Sequence, residues 1–352
     1  MKKTGVISFY FILLICVISA TLMIVFPSVF SQGVRAGLTL CAETMIPSMF
    51  PFFILSSFMT RSGMIDLIGR KTEKFFRKIF ALSGKSGSVF LLSLFSGFPV
   101  GARTVSLLLE RKEMSEKEAQ RLMLCSVNAG PAFTVSAVGA SMLASRKAGI
   151  IIFASLTLSS LIICFLSRFI IEKEERCPVS CRKEDRENLS SSLINAVSDA
   201  TASMMSVSGW IVLFSCACFV AESIDVIEKN SLLFRAAFEV SIGCEKACQQ
   251  GNIPLVTAVI GWSGLCVHCQ VFSAVIKSNL KKRLFFISRI FHSALSMIIC
   301  DLLLKAFPCS ISVFANTASL IGKFYSSAPA VAGLLLMSAI LISDLETNRK
   351  VC

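Results

Sequence analysis

Histidine is nearly absent, with His268 and His292 the only two in 352 residues. Charge is scarce as well: 16% of residues are charged, against about 25% in soluble globular chains. Two histidines leave little for a His-based nucleophile or metal centre, and no set of nucleophile, base and orienting group is apparent. An enzyme is therefore the least supported class. Cys266-Val267-His268-Cys269 has C-x-x-C spacing, but no second ligand pair stands at a matching distance, so neither a metal nor a redox cofactor is expected. The chain holds 15 cysteines, of which Cys16, Cys41, Cys125, Cys164, Cys216, Cys218 and Cys300 sit inside apolar stretches. There Cys behaves as a small hydrophobe, and no disulfide framework is expected.

What the chain has in excess is apolar length. Hydrophobic residues make up 54% of it and the mean hydropathy is +0.74. Residues 6–29, 37–60, 147–171, 199–221, 284–307 and 326–343 each approach the roughly 20 apolar residues that cross a bilayer as a helix. The composition thus predicts an all-α, polytopic membrane protein. The first stretch follows Lys2 and Lys3 with no A-x-A site after it, which predicts an uncleaved transmembrane helix within residues 1–30 rather than a signal peptide.

The formal net charge is +13, but its distribution argues against nucleic acid. Residues 61–88 hold seven bases (Arg61, Arg70, Lys71, Lys74, Arg77, Lys78, Lys85) against two acids, the mark of a cytoplasmic face. Among them Ile65, Ile68, Phe75, Phe76, Ile79 and Phe80 recur at helical spacing, as in an amphipathic helix lying on anionic lipid, although Gly69 interrupts the pattern.

The apolar segments are broken at telling places. Ser96-Gly97-Phe98-Pro99-Val100-Gly101-Ala102-Arg103 interrupts one, and Ser263-Gly264-Leu265-Cys266-Val267-His268-Cys269-Gln270 recurs 167 positions later. In lipid every backbone N–H and C=O needs a partner, so an interrupted helix persists only where it is buried or lines a cavity. Paired interruptions in two halves point to the binding site of a transporter. The halves fall at 36–171 and 195–307, divided by a charged linker at 172–190 and followed by a C-terminal transmembrane helix at 326–343. An inverted repeat, each half with a re-entrant or broken helix, is preferred to a parallel one. With the two SG breaks matched, it places Lys277, Lys281, Lys282 and Arg283 outside, against the positive-inside rule.

The residues at the breaks suggest what is bound. Pro99 lacks an N–H and disfavours helix at Phe98, and Gly97 allows unusual backbone angles. The half-helix amides so freed attract anions. Arg103, deep in an apolar segment, must pair with an acid or face a polar cavity. Asn128, in the second break Asn128-Ala129-Gly130-Pro131, offers donors and an acceptor to a ligand or to neighbouring helices. Gln270 occupies the place of Arg103 in the second half. Ser96 and Ser263, beside Gly97 and Gly264, either bind a ligand or cap a broken helix end. Glu43 and Asp199 are intramembrane acids, read first as ion-pair partners and second as coupling groups. Arg168, Arg289 and Asp301 lie near span ends, where they can snorkel.

Pro47-Ser48-Met49-Phe50-Pro51-Phe52, the Ser96–Arg103 run, Asn128 with Pro131, and Ser263-Gly264 with Gln270 resemble the sporulation integral membrane proteins of the YlbJ type, over about residues 36–307. That resemblance implies a nucleoside recognition (Gate) domain, as in concentrative nucleoside transporters. It also implies a place in the bacterial cell membrane, at the outer forespore membrane during sporulation, and dipicolinate carried out of the mother cell toward the forespore. The family commonly has Lys where this chain has Arg103; the change keeps the charge and supplies a planar fork suited to a carboxylate. The expected partners are a small organic anion, the lipid bilayer and, as an open alternative, further copies of the chain. A nucleoside carrier and a non-transporting assembly protein are the rival readings.

Overall fold

The computed structural model describes residues 3–171, 188–223 and 231–309, apart from 277 and 279. The C-terminal span expected at 326–343 and most of the linker at 172–190 lie outside these residues. No β-strand occurs among the described residues.

The helices are α1 (Lys3–Val25), α2 (Pro27–Leu40), α3 (Ile46–Arg61), α4 (Met64–Phe80), α5 (Gly84–Ser96), α6 (Val100–Glu110), α7 (Glu116–Cys125), α8 (Arg146–Ile170), α9 (Leu189–Ser223), α10 (Leu232–Phe238), α11 (Val240–Gln249), α12 (Ile253–Trp262), α13 (Gly264–Ala274) and α14 (Lys282–Ala306). Two π-helical segments, Cys41–Met45 and Ala132–Met142, join α2 to α3 and follow α7. Among the described residues five stretches are long and apolar enough to cross a membrane: Pro27–Arg61, Arg146–Ile170, Leu189–Ser223, Ile253–Ala274 and Lys282–Ala306. Four of these match spans expected from composition, at 37–60, 147–171, 199–221 and 284–307, to within one residue of containing them. The stretch Ile253–Ala274 was read from sequence only as a break.

Small residues set the closest approaches. α9 runs antiparallel to α2 and α3: a Cβ on Gly33 would lie 2.7 Å from the backbone of Cys216, and one on Gly37 would lie 2.8 Å from that of Val212. At the other end of the pair, Arg61 meets Asp199. α4 and α5 meet at a bend of 93°. Gly69, which seemed to spoil the amphipathic pattern, is buried against Gly84 and lets the two helices cross there. The apolar face carrying Ile65, Phe76 and Phe80 is buried in protein rather than laid on lipid. Leu67, Phe75 and the bases Arg70, Lys71, Lys74, Arg77 and Lys78 face outward.

Two helical hairpins enter the bundle. In the first, Gly101 on α6 packs on Ser93 of α5, and the ends are tied by an ion pair between Lys85 and Glu113; its apex is Gly97-Phe98-Pro99. In the second, Gly243 on α11 packs on Ala236 of α10, with a Cβ there only 2.5 Å from the Ala236 backbone. Its apex is Phe238-Glu239-Val240, and an ion pair of Arg235 with Glu222 fastens it to the end of α9.

The remaining helices cross between two ends of the bundle. Gln120 on α7 pairs with both backbone groups of Lys281, and Arg289 further along α14 reaches Leu124 and Val127. α7 and α14 are therefore parallel. α8 is antiparallel to α14, because Lys147 contacts Pro308 while Ser159 contacts His292. α12 and α13 together run antiparallel to α14: Ala258 lies beside Ser293, Trp262 beside Phe286, and Phe272 beside Lys282. The second SG break thus bends a helix that continues across the bundle, whereas the first turns the chain back. Arg61, Lys85, Glu113, Lys281 and Lys282 all lie toward one end.

Candidate binding site

A break in a helix leaves carbonyls and amides that must find partners, and the breaks here find them in each other. The hairpin apex at Gly97, with φ of +76°, abuts the Asn128–Pro131 break: a Cβ on Gly130 would stand 2.8 Å from the Phe95 carbonyl and 3.0 Å from the Gly97 nitrogen. The second half repeats the arrangement. Gly264, with φ of +68°, abuts the other apex, and a Cβ there would stand 3.0 Å from the Val240 nitrogen and 3.1 Å from the Phe238 carbonyl. Each broken span holds one hairpin apex.

The carbonyls freed where α7 stops are satisfied by side chains. Arg289 donates from Nη1 to Val127 O at 2.5 Å and from Nη2 to Leu124 O at 3.0 Å, and it is fully buried. This corrects the expectation that Arg289 snorkels to a membrane surface. Arg168 likewise bonds within the protein, to Ile79 O at 2.8 Å, and only Asp301, paired with Lys305, is exposed. Asn128 donates to Cys125 O at 2.8 Å and accepts from the Ser160 hydroxyl. Ser160 in turn lies 3.0 Å from Nε2 of His292, whose Nδ1 is 3.1 Å from Gly261 O. Asn128 is 2% exposed and works as a clamp between helices.

A cavity of about 410 Å³ opens between α3, α6, α9 and α13, within the range of small-molecule sites. The first hairpin contributes Pro99, Val100, Arg103 and Thr104, so the N-terminal turn of α6 faces the cavity. The broken span contributes Gln270 and Ser273. Arg61, Ser57, Asp199 and Ser203 come from the antiparallel pair of spans, and Glu110 stands at the outer end of α6. Arg103 is exposed to this space and donates from Nη1 to the Asp199 backbone carbonyl at 3.4 Å. The carboxylate of Asp199 is taken by Arg61, with Nε to Oδ2 at 2.7 Å and Nη2 to Oδ1 at 3.1 Å, and by Ser57 Oγ at 2.7 Å.

Beside this cavity lies a small space of about 20 Å³ lined by residues of both apices, room for a water or two. Phe98 comes from the first apex, Glu239 and Val240 from the second, and Gln270 and Val207 line both spaces. Glu239 is 1% exposed, accepts from Ile242 N at 2.7 Å, and has no ion-pair partner among the described residues. Sequence reading missed Glu239 because its apex carries neither Gly nor Pro. It also passed over Arg61 as one of many loop bases.

Arg103, Gln270 and Asp199 of the sequence-derived residues are thus gathered in one cavity. Ser96, Gly97, Asn128, Ser263 and Gly264 are not among its lining residues. Ser263 is fully buried and donates to Ile260 O at 3.0 Å, closing the end of α12. Glu43 is exposed on the π-helical segment, and Arg103 is held by Asp199 instead. Among the described residues no group of three or more His, Cys, Asp or Glu could hold a metal ion. Cys266 accepts from Gln270 Nε2 at 3.3 Å.

Five stretches long and apolar enough to cross a membrane, packed around a polar cavity, are the features of an integral membrane protein. Residues 42–146 match the nucleoside recognition (Gate) family. The chain is 25% identical over 321 residues to the sporulation integral membrane protein YlbJ of Bacillus subtilis (strain 168), covering 79% of this chain and 78% of that protein. The resemblance drawn from the motifs is borne out on both counts. No solved structure matches.

Proposed function

We propose that this protein is a carrier for a small organic anion, acting in the membranes of a sporulating cell, with dipicolinate the favoured cargo. The observation that carries the reading is the cavity itself, where Arg103 from a hairpin and Gln270 from a broken span face a common polar space. Half-helix N-termini and buried cations are the devices by which membrane carriers hold anionic groups. The role in sporulation rests on the similarity to the B. subtilis protein.

The same contacts support an inverted repeat in a register different from that of the two SG breaks. The spans Pro27–Arg61 and Leu189–Ser223, each 35 residues long, run in opposite directions. The α5–α6 hairpin then corresponds to α10–α11, entering from the other end. Next, α7 with the segment Ala132–Met142 corresponds to α12 with α13, and α8 to α14, both 25 residues. In this register the Asn128–Pro131 break is the counterpart of Ser263-Gly264. Lys281 and Lys282 then share the end occupied by residues 61–88, so that both basic loops are cytoplasmic and the positive-inside rule is satisfied.

Cells lacking this protein are expected to make spores poor in dipicolinate, and Arg103→Ala is expected to reproduce the defect at normal protein level. Normal dipicolinate content in either strain would count against the proposal. A nucleoside carrier is the second reading, favoured by the Gate match and by the many hydroxyls of the cavity, among them Ser56, Ser57, Thr60, Thr104, Ser106 and Ser203. It predicts solute uptake indifferent to Arg103→Ala.

A further inference from the structure

The Arg61–Asp199 pair stands in the cavity rather than behind it. Both residues line the space, and the Asp199 side chain is 43% exposed to it while that of Arg61 is 22% exposed. Arg61 meets the carboxylate through Nε and Nη2, the side-by-side geometry by which a guanidinium recognises any carboxylate. Arg103 holds the same residue from a third direction, at its backbone carbonyl. Ser57 completes the seat with a hydroxyl on Oδ2. Two guanidiniums and a hydroxyl therefore converge on one residue in a solute-sized cavity, and the group they hold belongs to the chain.

We propose that Asp199 is a tethered stand-in for a solute carboxylate: the seat formed by Arg61 and Ser57 is an anion subsite, and an incoming dicarboxylate displaces the Asp199 side chain from it while its second carboxylate meets Arg103. This deepens the anion-carrier reading but concerns binding, and so does not require that the solute be moved. At the fork one carboxylate replaces another, so the hydrogen bonds lost and gained there match in kind, and the contact of the second carboxylate with Arg103 must offset the solute's cost of association. The released Asp199 side chain, already 43% exposed, stays within the polar cavity, where an exposed charge is screened. With Arg61 and Arg103 set against Asp199 and Glu110, the lining of the cavity is electrically balanced. The tethered acid would thus set a threshold, admitting dianions that engage both cations and rejecting monoanions that cannot.

The test uses the full chain in nanodiscs, with pyridine-2,6-dicarboxylate, pyridine-2-carboxylate and uridine as probes. Removing the tethered competitor by Asp199→Asn should tighten dicarboxylate binding about two- to fivefold, the size expected for one partly exposed charge pair. It should also let the monocarboxylate bind and leave uridine unaffected. Ser57→Ala removes the same hydroxyl from Asp199 and from the solute carboxylate that replaces it, and should change dicarboxylate binding by less than about twofold. The discriminating arm is the double variant: in an Arg61→Gln background the Asp199→Asn gain should vanish, whereas a general field effect would preserve it. Arg61→Lys, which keeps charge but not the fork, should bind dicarboxylate more weakly than wild type. The inference is overturned if Asp199→Asn weakens dicarboxylate binding, if its gain persists without Arg61, or if only uridine binds. Vesicle exchange of the bound probe separates the two claims: binding with the expected variant pattern but no exchange upholds the subsite and sinks the carrier, dicarboxylate exchange that Asp199→Asn leaves unchanged upholds the carrier and sinks the subsite, and uridine exchange without dicarboxylate binding sinks both.

Discussion

Gly130 rests against the backbone of Gly97, and by that contact the apex of the first hairpin is lodged in the break of the following helix. Only glycine fits, since a side chain would strike the Phe95 carbonyl. The cavity wall that carries Arg103 begins at Pro99, three residues beyond Ser96, the last residue of α5, so its position depends on this contact.

Gly130→Ala is expected to lower stability by about 1–3 kcal/mol, the range for overpacking a filled interior, and to reduce uptake. Gly209→Ala is the control: a Cβ there meets nothing within 4 Å. Thermal unfolding in detergent should show a lower midpoint for the first variant and an unchanged or slightly higher one for the second.

Replacing Arg289 by Met removes both donors from Leu124 and Val127 while nearly preserving volume. Two buried carbonyls left without partners should cost about 2–5 kcal/mol in total. Lys305→Gln, which touches only the exposed pair with Asp301, should stay within about 0.5 kcal/mol of wild type. Comparable thermal midpoints for the two variants would show that Arg289 does not hold the end of α7 as described.

The revised register makes a topological prediction. An epitope inserted after Lys112 and one inserted after Leu280 should be reached from the same face of the membrane, the cytoplasmic one. Epitopes after Ala144 and after Gly251 should be reached only from the opposite face. Antibody access in intact and permeabilised cells decides it, and opposite faces for Lys112 and Leu280 would restore the matching of the two SG breaks.

Much of this was legible in the residues, and the reasons for the remainder are physical. Pro99, Gly97, Pro131 and Gly264 mark their breaks because they alter the backbone wherever they stand, and Arg103 is conspicuous because charge in an apolar segment is costly. The second hairpin left no such mark: Phe238-Glu239-Val240 is an ordinary string, and its turn is enabled by Gly243 closing on Ala236 from the other arm. In the proposed register Ser263-Gly264 therefore pairs with Asn128–Pro131, a correspondence that the sequence of the second hairpin does not reveal. Gly69 was misleading for a related reason, since a glycine that interrupts an apolar stripe can be the point where another helix crosses. Arg289 could not be assigned from sequence because the carbonyls it serves lie 162 and 165 positions away. Asp199 was found, but its partner Arg61 was hidden among the six other bases of residues 61–88.

The central claim is that Arg103 and its cavity recognise an anion that the protein carries. The most direct measurement is flux of labelled dipicolinate into vesicles bearing the purified full chain, compared with the same vesicles bearing Arg103→Ala and with vesicles bearing none. Saturable flux in the wild type, reduced at least about tenfold in the variant, which is a loss of roughly 1.4 kcal/mol of recognition, is the predicted result. Flux equal in all three, or equal in wild type and variant, would contradict it.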